Sequence, residues 1–312
     1  MNVKFQSSQM VCRNGLIVGA AMILGVGCAS ANDSTGDPTG DPSSDPTHVD
    51  EPETDVQNDP SSGSSEHTAG SQIRLQEGTD GPPVADEDPL TEIETQAISP
   101  HVAQTPGLDV SGYQPDVNWS SVASKGGKFV YIKATEGTGY RNPSFAKQYN
   151  GSYKAGLIRG AYHFARPDIS SGTTQANYFV DHGGGWSADG KTLPGALDME
   201  YNPYGATCYG LSGSSMVQWV RDFSNRVKAR TNRYPTIYTS TSWWNQCTGG
   251  SGIFGGTNPL WVPRYGSSVG TLPAGWGVRT IWQYADSGTF PGDQNRFNGA
   301  LDRLKIFAKS HD

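Results

Sequence analysis

The chain has 312 residues, 35% of them hydrophobic, with four cysteines and a formal net charge of −7. That hydrophobic share is low for a uniformly folded protein, and the charge is unevenly spread. Residues 29–105 hold 17 of the 30 acidic residues and one basic residue, Arg74, whereas 106–312 hold 13 acids and 20 of the 23 Lys and Arg, about +7 by counting. A single evenly composed domain is excluded. A basic C-terminal part suits an anionic partner such as an acidic wall polymer, a membrane or nucleic acid, although charges that only solvate the surface would count the same.

In chain order, Lys4 and Arg13 flank the start of an eleven-residue apolar run, Leu16 to Val26. The run is short for a membrane span and right for the core of a signal peptide, so 1–28 reads as a leader. Ala29-Ser30-Ala31 fits ordinary signal cleavage. Gly27-Cys28 instead fits a lipoprotein signal, with Gly25 where a leucine is usual. We adopt acylation of Cys28 as the expectation, with free secretion as the alternative; both take the chain out of the cytosol. Cys12 leaves with the leader, and Cys208 and Cys247 remain. In an oxidising compartment such a pair most simply forms a disulfide. It would close a loop of about 40 residues, stabilising by roughly 3–4 kcal/mol. Two cysteines without nearby histidines do not make a zinc site.

Residues 29–105 open with STGDPTGDPSSDPT and stay rich in Pro, Ser, Thr, Asp and Glu. Such a segment buries too little apolar surface to offset its ordering entropy, and it reads as a disordered acidic spacer. As a flexible coil its reach is on the order of 45–50 Å. From 106 to 312 the texture changes. Apolar and aromatic runs at Leu108–Ser111, Phe129–Ala134, Leu157–Phe164, Leu193–Met199, Thr236–Ser240, Leu260–Val262 and Thr280–Tyr284 predict strands. Met216, Val217, Val220, Phe223 and Val227 recur at helical steps. Strands alternating with helices argue for an α/β fold. Seven or more strands in this length favour an irregular TIM-like β/α barrel, with the Gly-rich stretch from Gly249 to Pro259 lacking helix. Gly183-Gly184-Gly185 lacks the spacing of a dinucleotide or phosphate loop. No nucleic-acid recognition motif appears, so nucleic acid is not expected as a partner.

The run Leu193-Pro194-Gly195-Ala196-Leu197-Asp198-Met199-Glu200 is an apolar strand ending in two acids. Alternation puts Asp198 and Glu200 on one face, about 6–7 Å apart along the chain. Crowded carboxylates separate their pKa values, giving the protonated acid and the anion that glycoside cleavage requires. By itself the pattern also fits a solvated pair or a cation site. Asp109, on the first strand, and Asp293, in Gly292-Asp293-Gln294-Asn295-Arg296-Phe297, could line the same rim of a closed barrel. A turn or cap residue and a helix N-cap before Phe297 are their alternatives. Trp243, Trp244, Trp261, Trp282 and Tyr284 gather near strand ends, where rings could pack on sugars or fill core, and of these Trp282 and Tyr284 are expected to bind substrate. His163 fits a buried structural histidine as well as a catalytic one.

Eight segments then carry a resemblance: GLDVSGYQ (107–114), YIKATEG (131–137), IRGAYHFARP (158–167), LPGALDME (193–200), YTSTSWW (238–244), LWVPRYG (260–266), IWQYADSG (281–288) and DQNRFNG (293–299). In content and order they resemble the family 25 glycoside hydrolases, lysozymes acting as N-acetylmuramidases on peptidoglycan. The resemblance covers nearly all of 106–312 and none of the spacer. It implies the irregular barrel, Glu200 as general acid and Asp198 as its carboxylate partner, with Asp109 and Asp293 in the same groove. Lys133, Tyr162 and Tyr238 are implied as sugar contacts. Pro263-Arg264-Tyr265 departs from the family pattern, which more often has Ala at the first place. The resemblance implies retention of anomeric configuration; an Asp two residues from the acid suits attack by the substrate's own N-acetyl oxygen, with direct attack by Asp198 the alternative. We expect a monomer that needs no cofactor and no metal. A non-catalytic wall-binding lipoprotein would not need all four acids, and a chitin-directed enzyme would place further Asp residues at Pro194 and Ala196.

Overall fold

A computed structural model of the chain describes residues 67–78 and 103–310, all within one compact unit, 57–312. The leader, Cys28 and the remainder of the spacer lie outside the described residues. A short helix, α1 (Ser71–Glu77), comes first. β1 (Thr105–Val110) is followed by α2 (Trp119–Ser124), and β2 (Phe129–Glu136) by β3 (Tyr140–Arg141) and α3 (Phe145–Lys154). β4 (Ile158–Phe164) leads to α4 (Gly172–Asp181), β5 (Ala196–Asp198) to α5 (Gly213–Thr231), and β6 (Thr236–Tyr238) to α6 (Thr241–Thr248). β7 (Leu260–Pro263) and β8 (Ile281–Ala285) have no helix between them, and β9 (Asp293–Phe297) precedes α7 (Leu301–Lys309).

All seven expected strands are present. The sheet order is β1-β9-β8-β7-β6-β5-β4-β2-β3, and β1 also pairs with β2, so eight strands close into a barrel with β3 appended to β2. Within the barrel, neighbouring strands from β1 through β8 are parallel, while the appended β3 is antiparallel to β2. β9 runs antiparallel to both β8 and β1. A regular TIM barrel has eight parallel strands, so the irregularity lies in the closing strand.

That strand corrects one expectation. Asp293 is not the N-cap of a helix before Phe297; Asp293–Phe297 is β9. Its residues lack apolar alternation because Asp293 and Asn295 turn into the polar mouth of the barrel, bonding to Gln283 and Asp109. The hairpin from β8 needs Gly292, whose φ is +73° and whose hypothetical Cβ would lie 2.1 Å from the Asp109 carbonyl oxygen.

The barrel interior is aromatic. Tyr131 stacks on Trp261 at 4.9 Å between ring centres, while Tyr162 and Tyr238 meet Trp261 edge-on. Outside, α5 buries Met216, Trp219, Val220, Phe223 and Val227, with Phe223 against Phe179 of α4. The Ser212 hydroxyl caps α5 by accepting from Ser215 N–H, and Asn232 ends it in the left-handed region. Among the described residues no helix is long and apolar enough to cross a membrane.

Cys208 and Cys247 form the expected disulfide, Cα atoms 5.3 Å apart, tying the loop after β5 to α6. Replacing both by Ser is expected to cost about 3 kcal/mol and to lower the thermal midpoint by about 6–12 °C. Thermal unfolding followed by circular dichroism, beside wild type with and without reductant, measures it.

Candidate active site

The parallel strands deliver their C-terminal ends to one mouth of the barrel, and β9, running the other way, delivers its first residue there. Asp109 of β1 sits in register with Asp293 of β9. Asp198 closes β5 beside Tyr238 of β6, and Glu200 follows two residues later. The sequence-predicted acids Asp109, Asp198, Glu200 and Asp293 are therefore gathered in one site, together with Lys133, Tyr162 and Tyr238.

Gln283 of β8 organises one side. Its amide nitrogen donates to Asp109 Oδ2 (2.9 Å) and Asp293 Oδ2 (3.0 Å). Its carbonyl oxygen accepts from the Tyr238 and Tyr265 hydroxyls at 2.8 and 2.5 Å. Asn295 adds a 2.6 Å donation to Asp109 and is itself held by the Trp261 indole N–H. Opposite, the Lys133 ammonium donates to Glu136 at 2.6 Å, and Tyr204 O–H donates to the same carboxylate at 2.5 Å. A register shift in β2 between Lys133 and Thr135 turns these two side chains, three residues apart, to the same side.

The four acids are buried and charge-crowded. Burial first, then the Glu200 charge, raises Asp198 well above the ordinary carboxylate range. Both its oxygens are buried, and among the described residues they have no hydrogen-bonding neighbour except the Glu200 carboxyl. Burial lifts Glu200 to about 7 against three backbone hydrogen bonds that pull it down. It lifts Asp109 to about 6 against the bonds from Gln283 and Asn295. Asp293 is raised by burial and then by Asp109. Burial would raise Glu136 too, but Lys133 and the bonds from His67 and Tyr204 outweigh it and hold it near 2. A carboxyl whose folded pKa exceeds its unfolded value stabilises the fold fully below the unfolded pKa, and that contribution is lost as pH rises through the folded one. Stability is thus expected to fall between about pH 4.5 and 7 through Glu200 and Asp109. Urea unfolding at pH 5 and pH 8 tests this; greater stability at pH 8 refutes it.

Residues 67–78, read from composition as part of a disordered spacer, are instead seated in this mouth. Gly70 N–H donates to Glu200 Oε1 at 2.8 Å, and Gln72 and Ile73 N–H donate to Oε2 at 2.8 and 3.1 Å. Ala69 N–H donates to the Tyr162 hydroxyl (3.3 Å), and Ala69 C=O accepts from Gln283 (3.2 Å). Lys133 also donates to the His67 carbonyl. Arg74 donates to Asp293 (2.8 Å) and to the Tyr265 hydroxyl (3.1 Å). Glu77 accepts from the Tyr201 and Ser240 hydroxyls.

The aromatic candidates fare differently. Gln283 faces the site, so its neighbours Trp282 and Tyr284 face the other way: Trp282 donates to the Arg264 carbonyl, and Arg296 packs over both rings. Neither lies at the mouth. Trp243 and Trp244 are fully buried on α6, and Trp261 is fully buried in the barrel beneath the acids. His163 is structural: it bonds to Thr135 and Gln175 and stacks on Phe223, and burial lowers it to about 4. The sequence reading missed Gln283, Asn295, Glu136 and Tyr265 as site residues. Alternation within IWQYA could have marked Gln283; nothing local marks the β2 register shift that brings in Glu136. Among the described residues no group of three or more His, Cys, Asp or Glu is arranged to hold a metal ion.

Comparison with known proteins adds independent observations. The family model described as glycosyl hydrolases family 25 matches residues 108–293. The chain is 52% identical over 209 residues to lysozyme M1 of Streptomyces globisporus, covering 65% of this chain and 71% of that protein. It is 52% identical over 206 residues to the N,O-diacetylmuramidase of a Chalaropsis species, covering 65% of this chain and 98% of that protein. A muramidase structure from Trichobolus zukalii is 56% identical with a TM-score of 0.65, over 66% of this chain and 99% of its own.

Proposed function

The chain belongs to glycosyl hydrolases family 25, and we propose that it is an exported N-acetylmuramidase cleaving the β-1,4 bond between N-acetylmuramic acid and N-acetylglucosamine in peptidoglycan. The observation that carries this reading is the pairing of Glu200, lifted to about 7, with Asp198, whose two buried oxygens meet the Glu200 carboxyl and no other hydrogen-bonding group among the described residues. A carboxyl titrating near neutrality holds a proton for the leaving oxygen. A buried carboxylate whose neighbour is a second acid has acceptor capacity left for a substrate N–H. With the sugar bound, Asp198 accepts from the acetamido group and orients its oxygen onto the anomeric carbon. Glu200 protonates the glycosidic oxygen, that bond breaks, and an oxazolinium forms. Glu200 then takes a proton from the attacking water, which opens the ring with retention. Asp109 and Asp293, bridged by Gln283, add negative potential to the groove near the developing oxocarbenium charge. Lys133, Tyr162 and Tyr238 hold the glycan.

Digestion of purified peptidoglycan, with the new reducing ends identified by mass spectrometry, tests this; reducing ends only on N-acetylglucosamine refute it. Because Glu200 acts protonated and burial raises it, kcat/KM is expected to fall on the alkaline side of the profile. A flat profile from pH 5 to 9 excludes it as the acid. The basic balance of 106–312 suits an anionic wall, so retention on peptidoglycan should weaken between about 50 and 500 mM salt as screening grows; a sedimentation assay reads it. An acylated Cys28 and the acidic spacer would hold the domain at the outer face of a membrane as a monomer, and free secretion remains the alternative.

A further inference from the structure

We propose that residues 67–78 are a built-in mask that keeps this enzyme latent. The inference rests on the muramidase reading of the site. The segment lies outside the 108–293 span that the family model matches, yet it engages the groups assigned to catalysis and sugar binding. Backbone N–H groups of Gly70, Gln72 and Ile73 hold both oxygens of Glu200. Ala69 takes the Tyr162 hydroxyl and Gln283, the His67 carbonyl takes Lys133, and Arg74 takes Asp293.

The mask is built for this place. Ala69 and Ile73 are buried, at 0% and 2% exposure. Gly70 has φ +83°, and a Cβ there would stand 2.2 Å from the Tyr265 hydroxyl, 2.6 Å from the Tyr238 hydroxyl and 2.7 Å from Gln283 Oε1. Only glycine lets the backbone come that close. Open space continues on both sides of the segment. A cavity of about 530 Å³ lies toward Tyr113, Asp286 and Asp293, and one of about 340 Å³ lies toward Ser240, Arg264 and Thr271. Residues of the segment line both cavities, His67, Thr68, Ser71 and Arg74 the first and Glu77 the second, so the segment stands between two open spaces at the mouth. A glycan strand cannot reach Glu200 until 69–73 leave.

Masking of this kind is competition within one chain. Apparent affinity falls by the fraction of molecules with the groove open, so a groove open about 1% of the time weakens binding about 100-fold and leaves saturated turnover unchanged. Cutting the chain after Gly78 would turn the contact into a bimolecular one and let the segment dissociate.

The test compares the full chain with its Gly70→Val and Arg74→Glu variants. Valine cannot fit at the closest approach, and glutamate opposes Asp293; neither residue belongs to the catalytic groups. Three readouts are taken: cleavage of soluble peptidoglycan fragments below saturation, binding of the same fragments, and hydrogen exchange of the Gly70, Gln72 and Ile73 amides. Both variants should cleave at least about tenfold faster than wild type, the gap closing at saturation, and the three amides should be protected only in wild type. Equal cleavage and binding by all three proteins overturns the mask, as do unprotected amides in wild type. If no protein cleaves but the variants bind fragments more tightly, the muramidase reading fails and the mask stands.

Discussion

Glu200→Gln is expected to lower turnover on peptidoglycan by about 10²–10⁴-fold, the range for losing a positioned general acid. The amide keeps the size of the carboxyl but has no proton to give the leaving oxygen. One complication can be removed by design. Glu200 accepts three backbone N–H groups from Gly70, Gln72 and Ile73, and a glutamine would turn an N–H toward some of them. The substitution therefore loosens the mask while it removes the acid, and the two effects oppose each other at low substrate. Measuring Glu200→Gln in the Gly70→Val background cancels the first effect and isolates the second. Residual activity within about tenfold of the Gly70→Val parent would remove Glu200 from the role of acid.

Asp198→Asn should lower kcat by about 10²–10³-fold, the scale seen when one preorganised electrostatic partner of a transition state is lost, with little change in KM. Asparagine can still accept the acetamido N–H through its oxygen but carries no charge to stabilise the oxazolinium. The same experiment separates the two chemistries. Products from the wild-type enzyme should first appear as the β-anomer by NMR, and acid-quenched enzyme should show no glycosyl adduct on the peptide containing Asp198. An adduct there would replace the substrate-assisted route with direct attack by Asp198. Burial raises both carboxyls, and the Glu200 charge raises Asp198 further, so the pair shares a proton rather than ionising together.

The local pattern carried most of the barrel. Seven of its eight strands announce themselves as apolar or β-branched runs, and the Met216–Val227 stripe marks α5, because these segments bury continuous apolar surface and composition alone reports that. Asp198 and Glu200 were legible for the same reason: two acids at the end of an apolar strand have few other places to go. The disulfide followed from compartment and count. What escaped depends on groups far apart in sequence. β9 is polar because it faces the site, so no hydrophobic period exposes it, and its pairing with β1 joins residues 105–109 to 293–297. Trp282 and Tyr284 read as sugar contacts by their place near a strand end, but the inward turn of Gln283 sends both outward; that phase is decided by the closure of the barrel. The largest departure is 67–78. Averaged over a Pro- and acid-rich segment it has the composition of a spacer, but twelve residues with a few apolar side chains need not fold alone if a preformed groove supplies the partners. Sequence by itself determined the elements that bury their own apolar faces and the strand that bears the acids. Which polar side chains converge, and that the chain's own spacer covers them, only the tertiary structure decided, because hydrogen bonds between residues about 130 positions apart, such as Gly70 to Glu200, leave no periodic trace in the chain.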